Sequence, residues 1–174
     1  MKLWPKACVA SFLVGLVFSL LLVGVPASST DATQTREAAS PLLGRWLLDT
    51  ARLPMPPDQR PKSVQFSFGD VGGGKWTVHV DIVYAPGHEV HSASTVALDG
   101  TLAVVENSPE ADHVQLKHPA PNVLVMALLK GGVLVSTQIY AVMPDGQHLV
   151  ETAVYPGQEN GLAAMKTSYF ERVH

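Results

Sequence analysis

Two histidines and a carboxylate in the segment His88-Glu89-Val90-His91 have the residue types of a zinc site. The metalloprotease motif needs two histidines four residues apart on one face of a helix. Here the spacing is three, and the segment follows a predicted hairpin turn. Because residues 88 and 91 of a strand point to opposite faces, we interpret the segment as a polar turn and predict no metal site.

A second group, His79, Asp81 and Ser92, contains the side-chain types of a hydrolase triad. His79 and Asp81 share one face of a predicted strand, and Ser92 is predicted to lie opposite Asp81. A serine on a regular strand has neither the strained elbow nor the backbone oxyanion hole of such enzymes. We therefore expect a solvated outer face and predict no catalytic residue, although the sequence does not settle whether the protein is an enzyme.

The most promising polar cluster is predicted where Glu151 faces Tyr140, with Gln138 and Tyr155 beside them. A carboxylate next to a phenol can bind a polar head group or transfer protons, and cross-strand pairs of this kind also stabilise sheets. The triglycine at residues 72–74 precedes a strand rather than a helix, so it is not a phosphate-binding loop. We predict no cofactor.

The elements that position these residues are strands separated by tight turns. The turn signals are Pro86-Gly87, Asp99-Gly100, Gly131-Gly132 and Asp145-Gly146, and each separates runs rich in Val, Ile, Leu, Thr and Tyr. They predict an all-β fold, an antiparallel up-and-down β-barrel of eight to ten strands, since closure removes exposed sheet edges. An open sandwich is the alternative.

Two-residue loops at the last two of these turns predict a register in which Met126 faces Thr137, Leu124 faces Ile139, and Ile139 faces Thr152. The face predicted to line the barrel interior contains Leu124, Met126, Leu128, Val135, Ile139, Val150 and Val154. The opposite face mixes apolar with polar residues. That mixture indicates a covering flap, a partner subunit or a polar-lined cavity.

The N-terminal sequence predicts an exported protein. Two lysines precede an apolar run over residues 7–25, which ends in Val25-Pro26-Ala27, so we assign residues 1–27 to a signal peptide. Residues 28–41 are small and polar and are predicted to be a disordered leader, and residues 42–174 form the barrel domain. The mature protein would be periplasmic or extracellular. Alternatively, residues 7–25 remain as a membrane anchor, which would be the only predicted membrane contact.

Composition limits the kinds of partner. Loss of the signal peptide removes the only cysteine, Cys8, and changes the formal net charge from −3 to −5. A mildly acidic protein without clustered Lys and Arg is not expected to bind nucleic acid. Four prolines within residues 49–62 prevent a regular strand or helix there, so this segment is predicted to be an irregular flap.

The first and last predicted strands resemble those of lipocalins. In that family a G-x-W motif opens the first strand and a C-terminal basic side chain packs over the indole, and the matching residues here are Gly44-Arg45-Trp46 and Arg172. The chain is more closely similar to uncharacterised secreted lipocalin-like bacterial proteins, with a P-K-S segment at 61–63, D-G hairpins and a closing Tyr169-Phe170-Glu171-Arg172 strand. The resemblance spans residues 42–173 and implies a small barrel that binds a hydrophobic ligand.

The function we predict is non-covalent binding of a small hydrophobic or amphipathic molecule, with the proline-rich flap as a lid. The residues expected to contact the ligand are Trp76, Tyr84, Leu124, Met126, Gln138, Ile139, Tyr140, Glu151 and Val154. The alternative is an interaction or structural module of the cell envelope with a solid barrel and no small ligand. In that case the mixed face, opposite the predicted barrel interior, would bind a partner or form a homodimer through its apolar residues.

Overall fold

The computed structural model describes residues 39–157 and 161–174, which form one ten-stranded antiparallel sheet. The strands are β1 (Gly44–Leu48), β2 (Ser63–Gly72), β3 (Lys75–Ala85), β4 (His88–Ala97), β5 (Ala103–Val104), β6 (His113–Ala120), β7 (Val123–Lys130), β8 (Val133–Val142), β9 (His148–Tyr155) and β10 (Ala164–Val173). Two short 3-10 turns, Thr50–Arg52 and Pro57–Gln59, lie between β1 and β2. Within the described residues, no helix has the length and apolar character needed to cross a membrane.

The sheet curls into a nearly closed barrel, which confirms the predicted all-β up-and-down fold. Apart from β4 and β5, each strand neighbours the next one in sequence, and β1 pairs with both β2 and β10. The remaining seam lies between β4 and β5. There Ala93 N donates to Glu106 O at 3.2 Å and Glu106 N donates to Ala93 O at 2.9 Å, so one β-bridge spans the seam.

Two of the four predicted hairpins are two-residue turns. Gly131 and Gly132, at φ 58° and 79°, connect β7 to β8, and this pair of positive angles is typical of a type I′ turn. Pro86-Gly87 connects β3 to β4, with Gly87 at φ 80°. The prediction for Asp99-Gly100 was wrong, because Asp99 forms a bridge with Lys117 within a wider connection between β4 and β5.

The loop between β8 and β9 is longer than predicted, yet it preserves the predicted pairing. Met143 N donates to His148 O at 2.8 Å, so four residues rather than two form the loop. A four-residue loop about the same centre leaves the register unchanged. Ile139 therefore faces Thr152 and Tyr140 faces Glu151, as predicted.

A β-bulge in β8 overturns the predicted register between β7 and β8. Leu129 pairs with Leu134 but Leu128 pairs with Ser136, which makes Val135 the extra residue. Beyond the bulge Met126 faces Gln138 rather than Thr137, and Leu124 faces Tyr140 rather than Ile139. An extra residue in one strand exchanges its inward and outward positions.

The predicted apolar interior face was consequently wrong for β8 and β9. Inward positions of these two strands carry Ser136, Gln138, Tyr140, Val142, Leu149, Glu151 and Ala153, all of which are buried. Ile139 is 41% exposed on the outer surface, and Val154 alternates with the buried Ala153. Of the interpretations offered for the mixed face, this arrangement matches the polar-lined interior.

One end of the barrel, here called the lower end, is filled by side chains. Its buried core contains Leu42, Trp46, Phe68, Trp76, Val96, Leu116, Leu124, Val142, Leu149 and Phe170. Arg172 covers this core, with its guanidinium carbon 4.1 Å from the centroid of the Trp46 ring, a contact that the lipocalin resemblance implies. A Cβ at Gly44 would lie 2.9 Å from Arg172 Nη1, and Gly44 has φ 115°, so this position requires glycine.

The predicted signal peptide and residues 28–38 of the predicted leader lie outside the described residues. The last leader residues, 39–41, are in contact with the barrel. Ser40 Oγ donates to Pro121 O at 2.7 Å, and Leu43 N donates to Ser40 O at 3.1 Å. Leu42, the first residue assigned to the domain, is fully buried.

Candidate functional site

The flap, residues 49–62, lies across the upper end of the barrel, opposite the packed core. Arg60 holds it together, because Nε donates to Met55 O at 2.9 Å and Nη1 donates to Ala51 O at 2.8 Å. Arg52 anchors the flap to β10, with its guanidinium carbon 3.5 Å from the centroid of the Tyr169 ring. Because the prolines prevent a regular strand here, these two carbonyls have no partner in a β-ladder. The Arg60 side chain supplies their hydrogen bonds instead.

Beneath the flap the barrel is hollow. An outer lobe of about 370 Å³ lies between the flap and the strands, and an inner lobe of about 80 Å³ lies deeper. Both lobes share Phe66, Val80, Ile82, Glu110 and Gln138 as wall residues, so they adjoin. The predicted alternative of a solid barrel therefore fits only the lower half.

The inner lobe is mainly apolar. Val78 and Val90 form one side, and Met126 and Leu128 form the other. Ser92 adds a hydroxyl, which donates to Val80 O at 3.4 Å. Because this hydroxyl already has a partner on its own sheet, the lobe offers a ligand mostly apolar contacts.

Glu151 is the buried carboxylate of the outer lobe. Its residue is only 8% exposed, and β9 places it between Tyr140 on β8 and Ser168 on β10. Burial raises the pKa of the Glu151 carboxyl, the hydroxyl of Ser168 acts in the opposite direction, and the charge of Glu110 raises it further. No Lys, Arg or His nitrogen of the described residues lies within 4.0 Å of it.

Tyr140 supports the polar wall from behind. It is fully buried, and its hydroxyl donates to Gln138 Oε1 at 2.8 Å, while Gln138 Nε2 donates to Ser136 Oγ at 3.4 Å. Burial, reinforced by the charge of Glu151, raises the pKa of Tyr140 well above its ordinary value. The phenol therefore stays protonated at neutral pH and acts as a hydrogen-bond donor rather than a base.

The structure brings only some of the predicted ligand contacts together. Gln138, Glu151 and Tyr84 line the outer lobe, and Met126 and Gln138 line the inner lobe. The predicted contacts that lie elsewhere are Trp76 and Leu124 in the lower core, Tyr140 behind Gln138, and Ile139 and Val154 on the outer face. Trp76 packs against His118, with ring centroids 5.0 Å apart.

Several lining residues were not predicted from the sequence. Glu110 lies in the connection between β5 and β6, where no periodic pattern indicates which way a side chain points. Ser168 and Lys166 could have been found by extending the alternation of β10 back from the buried Phe170. Phe66 alternates in the same way on β2.

Three residues from the two histidine-containing candidates, His91, Asp81 and Glu89, form an exposed cluster. His91 Nδ1 lies 2.6 Å from Asp81 Oδ1, and His91 Nε2 lies 3.4 Å from Glu89 Oε2. These contacts raise the pKa of His91, mainly through Asp81. Ser92 pairs with Val80, not with Asp81 as predicted. The described part of the chain contains no group of three residues that could hold a metal ion.

Comparison of the sequence with models of known protein families finds no match, and comparison with curated protein sequences finds none either.

Proposed function

We propose that this protein is an exported lipocalin-like carrier that binds a small hydrophobic or amphipathic molecule non-covalently in the upper half of its barrel. The observation that carries the proposal is the cavity beneath the flap, which is apolar in its depth and polar near its mouth. A concave apolar site with a few convergent polar groups is the usual form of a small-molecule site.

The lower end supports the same proposal. Arg172 over Trp46 is the contact that the lipocalin resemblance implied. It closes the barrel opposite the flap, so a ligand would enter from above. Export is proposed from the N-terminal sequence alone.

Titration with a neutral fluorescent hydrophobic probe, N-phenyl-1-naphthylamine, tests the proposal. We expect saturable binding that Ser92→Phe weakens by filling the inner lobe. Thr95→Phe on the outer face of the same strand is the matched control. Non-saturable fluorescence that both variants leave unchanged would refute binding in the barrel.

A second candidate is self-association through the outer face of the sheet. Met165 is 70% exposed and pairs with Val154, and Ile139 is 41% exposed on the neighbouring β8. This surface would suit a second copy of the chain. Light scattering during size-exclusion chromatography tests this candidate. We expect a dimer that dissociates when Ile139→Lys is introduced. A monomeric wild-type protein would refute self-association.

A further inference from the structure

The chemistry of the outer lobe indicates which amphipathic ligands the barrel prefers. Glu151 lines this lobe and is only 8% exposed to solvent. No cationic nitrogen of the described residues lies within 4.0 Å of its carboxylate oxygens. A buried carboxylate without a cation is costly, because it loses hydration and gains only hydroxyl contacts in return. Its position in the cavity wall leaves room for a cation from outside the protein.

A second carboxylate faces the same space. Glu110 lines both lobes and is itself exposed, and its charge is the smallest of the effects on the pKa of Glu151. Two acidic side chains on one cavity repel an anionic head group and attract a cationic one. They come from separate elements, β9 and the connection between β5 and β6.

Lys166 is the basic side chain of the outer lobe, and it does not neutralise Glu151. Its ammonium lies 5.0 Å from the centroid of the Tyr155 ring instead. Tyr155 thus already accepts an ammonium group on its face, a favourable cation–π contact. The wall therefore combines a carboxylate with an aromatic ring.

We infer, on the basis of the proposed function, that the ligand is a cationic amphiphile: a protonated amine that pairs with Glu151 in the outer lobe and an apolar body that extends toward the inner lobe. The amine would supply the counter-charge that the buried carboxylate lacks. The apolar walls formed by Val80, Met126 and Leu128 would accept the chain. A carboxylate head group would meet two like charges against the one ammonium of Lys166, and an alcohol would leave Glu151 unneutralised.

Three probes of equal chain length, decylamine, decanol and decanoate, test the inference on the wild-type protein. Each is titrated by calorimetry at neutral pH, below its aggregation concentration. We expect decylamine to bind about tenfold or more tightly than decanol, as charge-assisted hydrogen bonds typically provide, and decanoate to bind most weakly. Glu151→Gln should abolish the preference for the amine while decanol binding persists. Glu171→Gln, an exposed substitution on β10, is the matched control and should preserve it.

The outcomes separate this inference from the proposed function. Equal or tighter binding of decanol or decanoate by the wild type would overturn the amine preference and leave a hydrophobic carrier standing. Failure of all three probes, and of the neutral fluorescent probe, would refute the carrier itself. Because the wild-type comparison is decisive, an unfolded Glu151→Gln variant would not leave the question open.

Discussion

The guanidinium of Arg172 lies over the indole of Trp46, 4.1 Å from the ring centroid, and joins three separate segments at the lower end of the barrel. Nε donates to Gly146 O at 2.8 Å and Nη1 donates to Leu43 O at 2.9 Å. Nη2 also donates to Pro41 O. One side chain therefore links β10 to the start of β1 and to the loop between β8 and β9.

Substitution of Arg172 should destabilise the barrel. We expect Arg172→Met to lower the free energy of unfolding by about 2 kcal/mol, because it removes a cation–π contact and charge-assisted hydrogen bonds. Urea denaturation followed by tryptophan fluorescence measures this loss. Arg45→Met, at an exposed position of β1, should change stability by less than about 0.5 kcal/mol. Equal effects of the two substitutions would contradict the role assigned to Arg172.

The pH dependence of stability should report on Glu151. Its pKa is higher in the folded state than the ordinary value of 4.5, so the protonated carboxyl favours folding. That contribution is complete below the unfolded pKa and is lost as the pH rises through the folded pKa. Glu151→Gln should therefore gain thermal stability relative to wild type as the pH increases.

Thermal melts of both proteins between about pH 4 and pH 8 give this difference directly. Taking the difference cancels the titration of the exposed carboxylates and histidines that the two proteins share. Glu171→Gln, which replaces an exposed carboxylate of β10, provides the comparison. A flat difference for Glu151→Gln would show that the folded protein does not disfavour the ionised carboxylate.

The strand order and much of the lower end could be predicted from the sequence. Glycine turns and alternating apolar residues fix neighbouring antiparallel strands, and the side chains Trp76 and Val78 point inward as their alternation indicates. The pairing of Tyr140 with Glu151 followed from symmetry about the Asp145-Gly146 turn. The contact of Arg172 with Trp46 followed from the resemblance.

The composition of the cavity could not be predicted because of one residue. Val135 is the bulge, yet valine also occupies ladder positions of this strand, at Val133 and Val142, so its residue type does not distinguish it. Beyond it the inward and outward positions of β8 exchange, and Gln138 replaces Ile139 at the interior. The contribution of Glu110 was also hidden, since a loop side chain has no periodicity.

The hydrogen bond from Tyr140 to Gln138 should stabilise the polar wall. Tyr140→Phe removes the donor and leaves Gln138 Oε1, in a residue 7% exposed, without this partner. We expect a loss of about 1 kcal/mol in the free energy of unfolding. Tyr84→Phe is the control, because Tyr84 is half-exposed, and it should leave the free energy of unfolding nearly unchanged. A neutral Tyr140→Phe would indicate that water or another group replaces the phenol.

Arg60 should control the order of the flap. Arg60→Ala removes the hydrogen bonds to Met55 O and Ala51 O, while the strands keep their ladders. Hydrogen–deuterium exchange should become at least several-fold faster in residues 50–61, and the protection of β7 to β9 should stay unchanged. Because the flap covers the cavity, the dissociation rate of bound N-phenyl-1-naphthylamine should also increase. Arg45→Ala serves as the comparison, and equal exchange in both variants would argue against Arg60 as the organiser of the flap.

Lys166 should tune which head group the barrel accepts. Its ammonium occupies the face of Tyr155, beside the position inferred for the ligand amine. Lys166→Met would free that ring and remove a positive charge that repels amines and attracts carboxylates. We expect decylamine to bind about twofold to fivefold more tightly, the size of one exposed cation–π contact, and decanoate to bind more weakly. Competition calorimetry measures both changes. Lys75→Met, at the lower end of β3, is the control. A shift of both ligands in the same direction would mean that Lys166 acts through packing rather than charge.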